Sequence, residues 1–325
     1  MDQPTRWLKM SNRTSFKHLN QSQISILVEQ LVKAVEGLDN PVYLPQPQLN
    51  PYVNHLEQMV ALFNGNDEYD YSAQLQVFQT AMQNVGIHWG LSGLESYDED
   101  ADRYRTTSEM LSALVQRIWR LTRKDEYRRV KHDQRRQALE QGDGLRRYVD
   151  GMFAGYARLL VVRVNFYYRT EAQTRLRVEH VFRDVGKLIR ARRYSDIFVH
   201  EVGYVCSIEQ GKCHGSRLGE RQGRGFHAHA AFFFDGSKVR GDVYKAQQIG
   251  ELWEQVTVGR GCYDSCNHDK EKKYRDRLGI GMIHRGALAL RTNLYSVMDY
   301  LVKDDQHLRL RPQGRRTLRR GNPIR

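Results

Sequence analysis

Phe226-His227-Ala228-His229-Ala230-Ala231-Phe232-Phe233-Phe234 has the alternation of a β-strand. A strand sends successive side chains to opposite faces, so His227 and His229 share a face, about 7 Å apart at their Cα atoms. Phe226, Ala228, Ala230, Phe232 and Phe234 fall on the other, which reads as the buried side. Two neutral imidazoles presented this way can hold one divalent metal and leave the rest of its coordination sphere open.

Upstream, residues 198 to 209 also read as a strand. Val199, Glu201, Gly203, Val205, Ser207 and Glu209 share one face, and that face ends in a carboxylate. If this strand pairs with the histidine strand, Glu209 becomes a third ligand. Two His and one carboxylate leave room for phosphate oxygens and water, which suits Mg²⁺ or Mn²⁺ at a phosphodiester. Downstream, Leu294, Val297, Met298, Leu301 and Val302 recur at helical spacing. Tyr300 and Lys303 are three apart and share a face of that helix. An ammonium beside the phenol favours the phenolate and steadies a phosphate. Tyr295, about 140° away round the helix, is a poor second nucleophile.

The chain has 325 residues, 51 Lys+Arg against 38 Asp+Glu, and a net charge of +13. Such a balance favours an acidic polymer, DNA above all. The loop between the two strands is Gly-rich and carries Lys212, Arg217, Arg221 and Arg224 beside the expected metal. Arg163 shares the polar face of a further strand, Leu159 to Tyr168, with Asn165 and Tyr167. After Asp305 the chain has seven Arg and no acid, among them Arg315, Arg316, Arg319 and Arg320, as expected of a tail that positions DNA through its phosphates. Four Cys do not make a disulfide scaffold in a chain this long. Cys213-His214 with Cys262 and Cys266 lacks the spacing of a standard zinc site. The N-terminus reads as no signal peptide, and no apolar run is long enough for a membrane span, so a cytoplasmic protein with no membrane partner is expected.

Residues 1 to 150 read as a mostly helical N-terminal region, with helices over Ser22 to Glu36 and over 103 to 140, and a break at Gly142-Asp143-Gly144. Residues 151 to 325 alternate as β-α-β-β-α-β-α. That order gives an α+β class with a ferredoxin-like or RRM-like antiparallel sheet, helices on one face and the polar sides of three strands on the other.

Carboxylate strand, His-x-His strand and Tyr-x-x-Lys helix, in that order, resemble the active site of HUH endonucleases of the replication-initiator type. The chain is more closely similar to the inovirus-type gene 2 replication protein family, which includes the YagK/YfjJ C-terminal domain. The stretches that carry the resemblance are Gly203-Tyr204, Gly225 to Gly236, Trp253, Gly279-Ile280-Gly281, Tyr300 to Lys303, and Arg315 to Gly321. They span roughly residues 155 to 321. The family usually has a hydrophobic residue between the paired His, and here it is only Ala228. The resemblance implies a phage or prophage replication initiator that nicks single-stranded or locally melted origin DNA in a bacterial host, working with the host replication machinery. A non-catalytic DNA-binding regulator on the same fold and a phosphohydrolase acting on small nucleotides are the rival readings. Histidine-triad hydrolases fit less well, because their third His would fall at Ala231.

Overall fold

The structure is a computed structural model and describes residues 18–40, 46–64, 68–91, 93–211, 225–302 and 308–322. The N-terminal part is helical. Helix α1 spans Gln21–Glu36 and starts on a capping box, in which the Asn20 side chain accepts from the Gln23 backbone and Gln23 answers in kind. Helices α2 (Ala73–Val85) and α3 (Thr107–Thr122) pack with it into a shared core. Helix α4 then runs unbroken over Asp125–Gly155.

The remaining strands and helices alternate: β1 (Arg158–Tyr168), α5 (Val178–Ala191), β2 (Glu201–Gln210), β3 (Phe226–Asp235), α6 (Asp242–Val256), β4 (Gly261–Ser265), β5 (Gly281–His284), α7 (Leu288–Tyr300) and β6 (Leu318–Arg320). The sheet order is β5-β1-β3-β2-β6, every neighbouring pair antiparallel, and β4 pairs with the other end of β1. The protein is thus of mixed α+β type with an antiparallel sheet. No helix among the described residues is long and apolar enough to cross a membrane.

Alternation along the strands divides the sheet into two buried faces. On one, Val162, Val164 and Phe166 of β1 and Phe226, Ala228, Ala230, Phe232 and Phe234 of β3 are buried against α5 and α6, with Trp253 fully enclosed. The opposite face carries Leu159, Val161, Val205, Ala231 and Phe233, and it too is covered. Leu145, Val149, Met152 and Phe153 of α4 and Leu294, Val297 and Met298 of α7 form that cover. Each such side chain contributes about 1.5–3 kcal/mol by leaving water. Gly203 lets α4 sit this close, because a Cβ there would lie 2.4 Å from the Tyr148 hydroxyl and 2.6 Å from the Met152 sulfur.

Three expectations change as a result. The sheet is not bare on the histidine face: that face is apolar at one end of the strands, and only its other end is polar. Gly142-Asp143-Gly144 is not a break but lies within α4, whose second half belongs to the sheet's core. A helix can carry these glycines where tertiary packing fixes it, and Gly142 faces Asp299 and Val302 at the end of α7. The basic tail is not a free extension either. Leu310–Pro312 pairs with a strand at Tyr69–Tyr71, and β6 closes the β2 edge of the sheet. Two smaller differences are that the first helix expected in the β-α-β-β-α-β-α order is two, Thr170–Gln173 and α5, and that β4 is a strand beyond the four of that order.

Candidate metal centre

Register brings the expected ligands together. Glu209 stands directly opposite His227 across the β2–β3 pair, and Ser207 opposite His229. On the other flank of β3, Asn165 of β1 stands opposite His229. Ligand atoms of Glu209, His227 and His229 all lie within 4.8 Å of one another. Glu209 Oε2 is 3.4 Å from His229 Nε2 and 3.8 Å from His227 Nε2. Two ligands at about 2.1 Å from one ion, set at a right or tetrahedral angle, are separated by about 3.0–3.4 Å, so the cluster is close to the span an ion requires. All three residues are buried.

The tautomers agree with metal binding. His227 Nδ1 lies 3.0 Å from the Gly225 carbonyl, which can only accept. His229 Nδ1 lies 2.5 Å from Asn165 Oδ1. The Asn165 amide cannot be turned the other way, because its Nδ2 donates to the Asp264 carboxylate at 3.3 Å and also reaches Cys266 Sγ at 3.2 Å. Each Nδ1 therefore carries the hydrogen, and in the neutral ring each Nε2 presents a lone pair to the space it shares with Glu209. Sequence reading had Asn165 only as a neighbour of Arg163; its role in orienting His229 depends on which strand β1 pairs with.

Tyr300 arrives from the far side of the site, at the last turn of α7. Its ring packs edge-on against His229, with centroids 5.5 Å apart. The Arg163 guanidinium lies over the same ring, 4.9 Å from its centroid. Arg163 is only 8% exposed, and its Nε is buried with no hydrogen-bond partner among the described residues. A buried guanidinium in that state is well suited to an incoming oxyanion. Tyr167 completes the wall, 5.7 Å from the His227 ring.

The other expected residues divide. Tyr295 is held elsewhere, its hydroxyl bonded to Asp150 and accepting from Arg291, and burial raises its pKa. Helix α7 ends at Tyr300; Lys303 lies outside the described residues, as do Lys212, Cys213, His214, Arg217, Arg221 and Arg224. Arg315 and Arg316 are exposed. Arg319 lies over Phe182 and Arg320 donates to the Gly144 carbonyl at 2.7 Å, so both also brace the β6 edge. Arg309 was read as part of the basic tail, yet it is fully buried and bonds Glu29 of α1 at 2.8 Å and the Gln210 carbonyl at 2.8 Å.

No protein-family model, curated protein or solved structure gives a significant match to this chain.

Proposed function

We propose that the protein is a metal-dependent DNA nicking and joining enzyme of the HUH type, acting as a replication initiator of a phage or mobile element. The observation that carries this reading is the placement of Tyr300 against His229, next to a Glu209–His227–His229 cluster. A phenol, a carboxylate with two imidazoles and a buried guanidinium in one small site serve phosphoryl transfer better than any rival chemistry.

The strand order supports the fold half of the proposal. Within β1-α5-β2-β3-α6-β4 the order is β4-β1-β3-β2, the arrangement of a split β-α-β unit. This order supports reading the sheet as the ferredoxin-like or RRM-like one the family resemblance implies, with β5, α7 and β6 added to it.

Glu209, His227 and His229 would hold Mg²⁺ or Mn²⁺, which when bound polarises the scissile phosphate. Arg163 grips a non-bridging oxygen. Tyr300 Oη forms a bond to phosphorus and loses its proton to water as the bond to the 3′ oxygen breaks. The 3′ oxygen takes up a proton, and the 5′ phosphate stays on the tyrosine. The joined phosphodiester keeps its bond energy, so a later attack by a 3′ hydroxyl reseals the strand without ATP. The free 3′ end primes synthesis by the host polymerase, which places the protein in the bacterial cytoplasm. With a net charge of +13, the chain is drawn to single-stranded or melted origin DNA.

A denaturing gel tests the proposal. Labelled single-stranded DNA incubated with Mn²⁺ should yield a covalent protein adduct, absent with chelator. A wild-type protein that binds the same DNA without forming any adduct would leave the regulatory reading in its place.

A further inference from the structure

A cavity of about 190 Å³ opens beside the metal cluster, between α4 and β2. Glu209 and Ser207 line it, as does Leu301, the residue after Tyr300. Gln134, Gln137 and Gln141 of α4 line it too. Their spacing of three and four puts the three amides on one helix face.

We propose that this cavity binds an unstacked nucleobase of a nucleotide next to the scissile phosphate; the inference rests on the nicking reading above. The lining selects among ligand classes. Arg311 is its one cation among the described residues, and it is paired with Asp70 at 3.1 Å. Among the described residues a phosphate would therefore meet no free positive charge there. An apolar ligand would strand three amides and the Ser207 hydroxyl away from water. A base edge presents donors and acceptors together, as an amide does, and a Gln amide reads adenine bidentately. Leu301 and Leu318 offer apolar contact to a ring face. Location selects the nucleotide. Because Glu209 belongs to both cavity and cluster, a strand whose phosphate sits at Tyr300 has a neighbouring base within reach. Enzymes that act on a strand commonly pull such a base from the stack and read its edge in a pocket.

The test uses the full chain with Mn²⁺ and a 3′-labelled single-stranded library randomised in sequence. Strands captured as covalent adduct are sequenced. For wild type, one position within two nucleotides of the joined phosphate should be enriched in one base. In Gln134→Ala/Gln141→Ala that enrichment should fall about tenfold while other positions keep theirs. Gln134 and Gln141 are half-buried polar residues within a helix, where alanine is the strongest helix former, so the variant remains informative. An abasic sugar at the same position should slow wild type to the rate of the double variant. Identical enrichment in both proteins, or a preference confined to distant positions, overturns the pocket while leaving nicking intact. A wild-type protein that captures no strand at all overturns the nicking reading and the pocket with it.

Discussion

The Tyr300 ring meets the His229 ring edge-on at 5.5 Å, one at the end of a helix and the other in the middle of the sheet. Two structures hold that contact. Strand β3 fixes His229 through hydrogen bonds on both sides. Helix α7 is fixed by apolar packing of Leu294, Val297 and Met298, and by Asn293, whose Nδ2 donates to the carbonyls of Asp276 and Leu278 at 2.8 and 3.0 Å. The proposed nucleophile is thus delivered by core packing rather than by a loop.

Tyr300→Phe removes one oxygen and keeps the ring that packs on His229 and under Arg163. We expect covalent adduct and nicking to vanish, DNA affinity to change by less than about threefold, and the melting temperature to hold. Gel assay beside fluorescence anisotropy measures both. Retained adduct would move the nucleophile elsewhere.

Asn165→Ala should weaken metal binding although Asn165 touches no metal. Without its Oδ1, nothing on β1 holds the hydrogen on His229 Nδ1, and the ring can present the wrong nitrogen. Loss of such an orienting group costs about 10–100-fold in metal affinity. Titration calorimetry with Mn²⁺ gives the number directly, and an unchanged affinity would show that packing alone sets the ring.

Gly279→Ala probes how α7 is seated. A Cβ at Gly279 would fall 2.5–2.6 Å from the backbone of Asn293 and Leu294, and backbone cannot turn aside as a side-chain tip can. The helix must shift, carrying Tyr300 with it. We expect a clear fall in nicking rate at saturating DNA, with Mn²⁺ affinity little changed because none of the proposed metal ligands lies on α7. Equal losses in both would mean a general loss of fold.

Much of this site was legible from residue order. Period-two alternation put His227 and His229 on one face and Glu209 on its neighbour, and register then made them meet, because a hairpin fixes which residues oppose. Helical spacing around Tyr300 found α7. What stayed hidden depends on contacts distant in sequence. Ala231 and Phe233 share the histidine face, yet nothing local says that α4 comes back to cover them. Asn165 acquires its role only when β1 pairs with β3. Arg309 looks like every other Arg of a basic tail until Glu29 is found beside it.

Arg309 therefore separates fold from function in the C-terminal segment. Its guanidinium is enclosed with the Glu29 carboxylate, and Gln210, next in chain to the proposed ligand Glu209, donates to the hydroxyls of Ser22 and Ser25 on α1 at 2.9 and 2.8 Å. Burial works against ionised Glu29, but Arg309 and Lys33 outweigh it and hold the carboxyl below its ordinary range. A depressed carboxyl stabilises the fold above the unfolded pKa, and that contribution is lost as pH falls through the folded value. Arg309→Met should cost about 3–5 kcal/mol, because it leaves a buried carboxylate without its main partner. Arg309→Met/Glu29→Leu should recover most of the loss and flatten the acid limb of the stability curve. Arg315→Ala/Arg316→Ala changes exposed residues only, so its melting temperature should match wild type. If both side chains meet phosphates, its salt slope on single strands should fall by about 0.7 per contact. Urea melts across acidic pH and affinities at several salt concentrations check the two pairs. A normal slope in Arg315→Ala/Arg316→Ala would show that these arginines meet no phosphate, and a stable Arg309→Met would show that the enclosed pair does not hold α1 to the sheet.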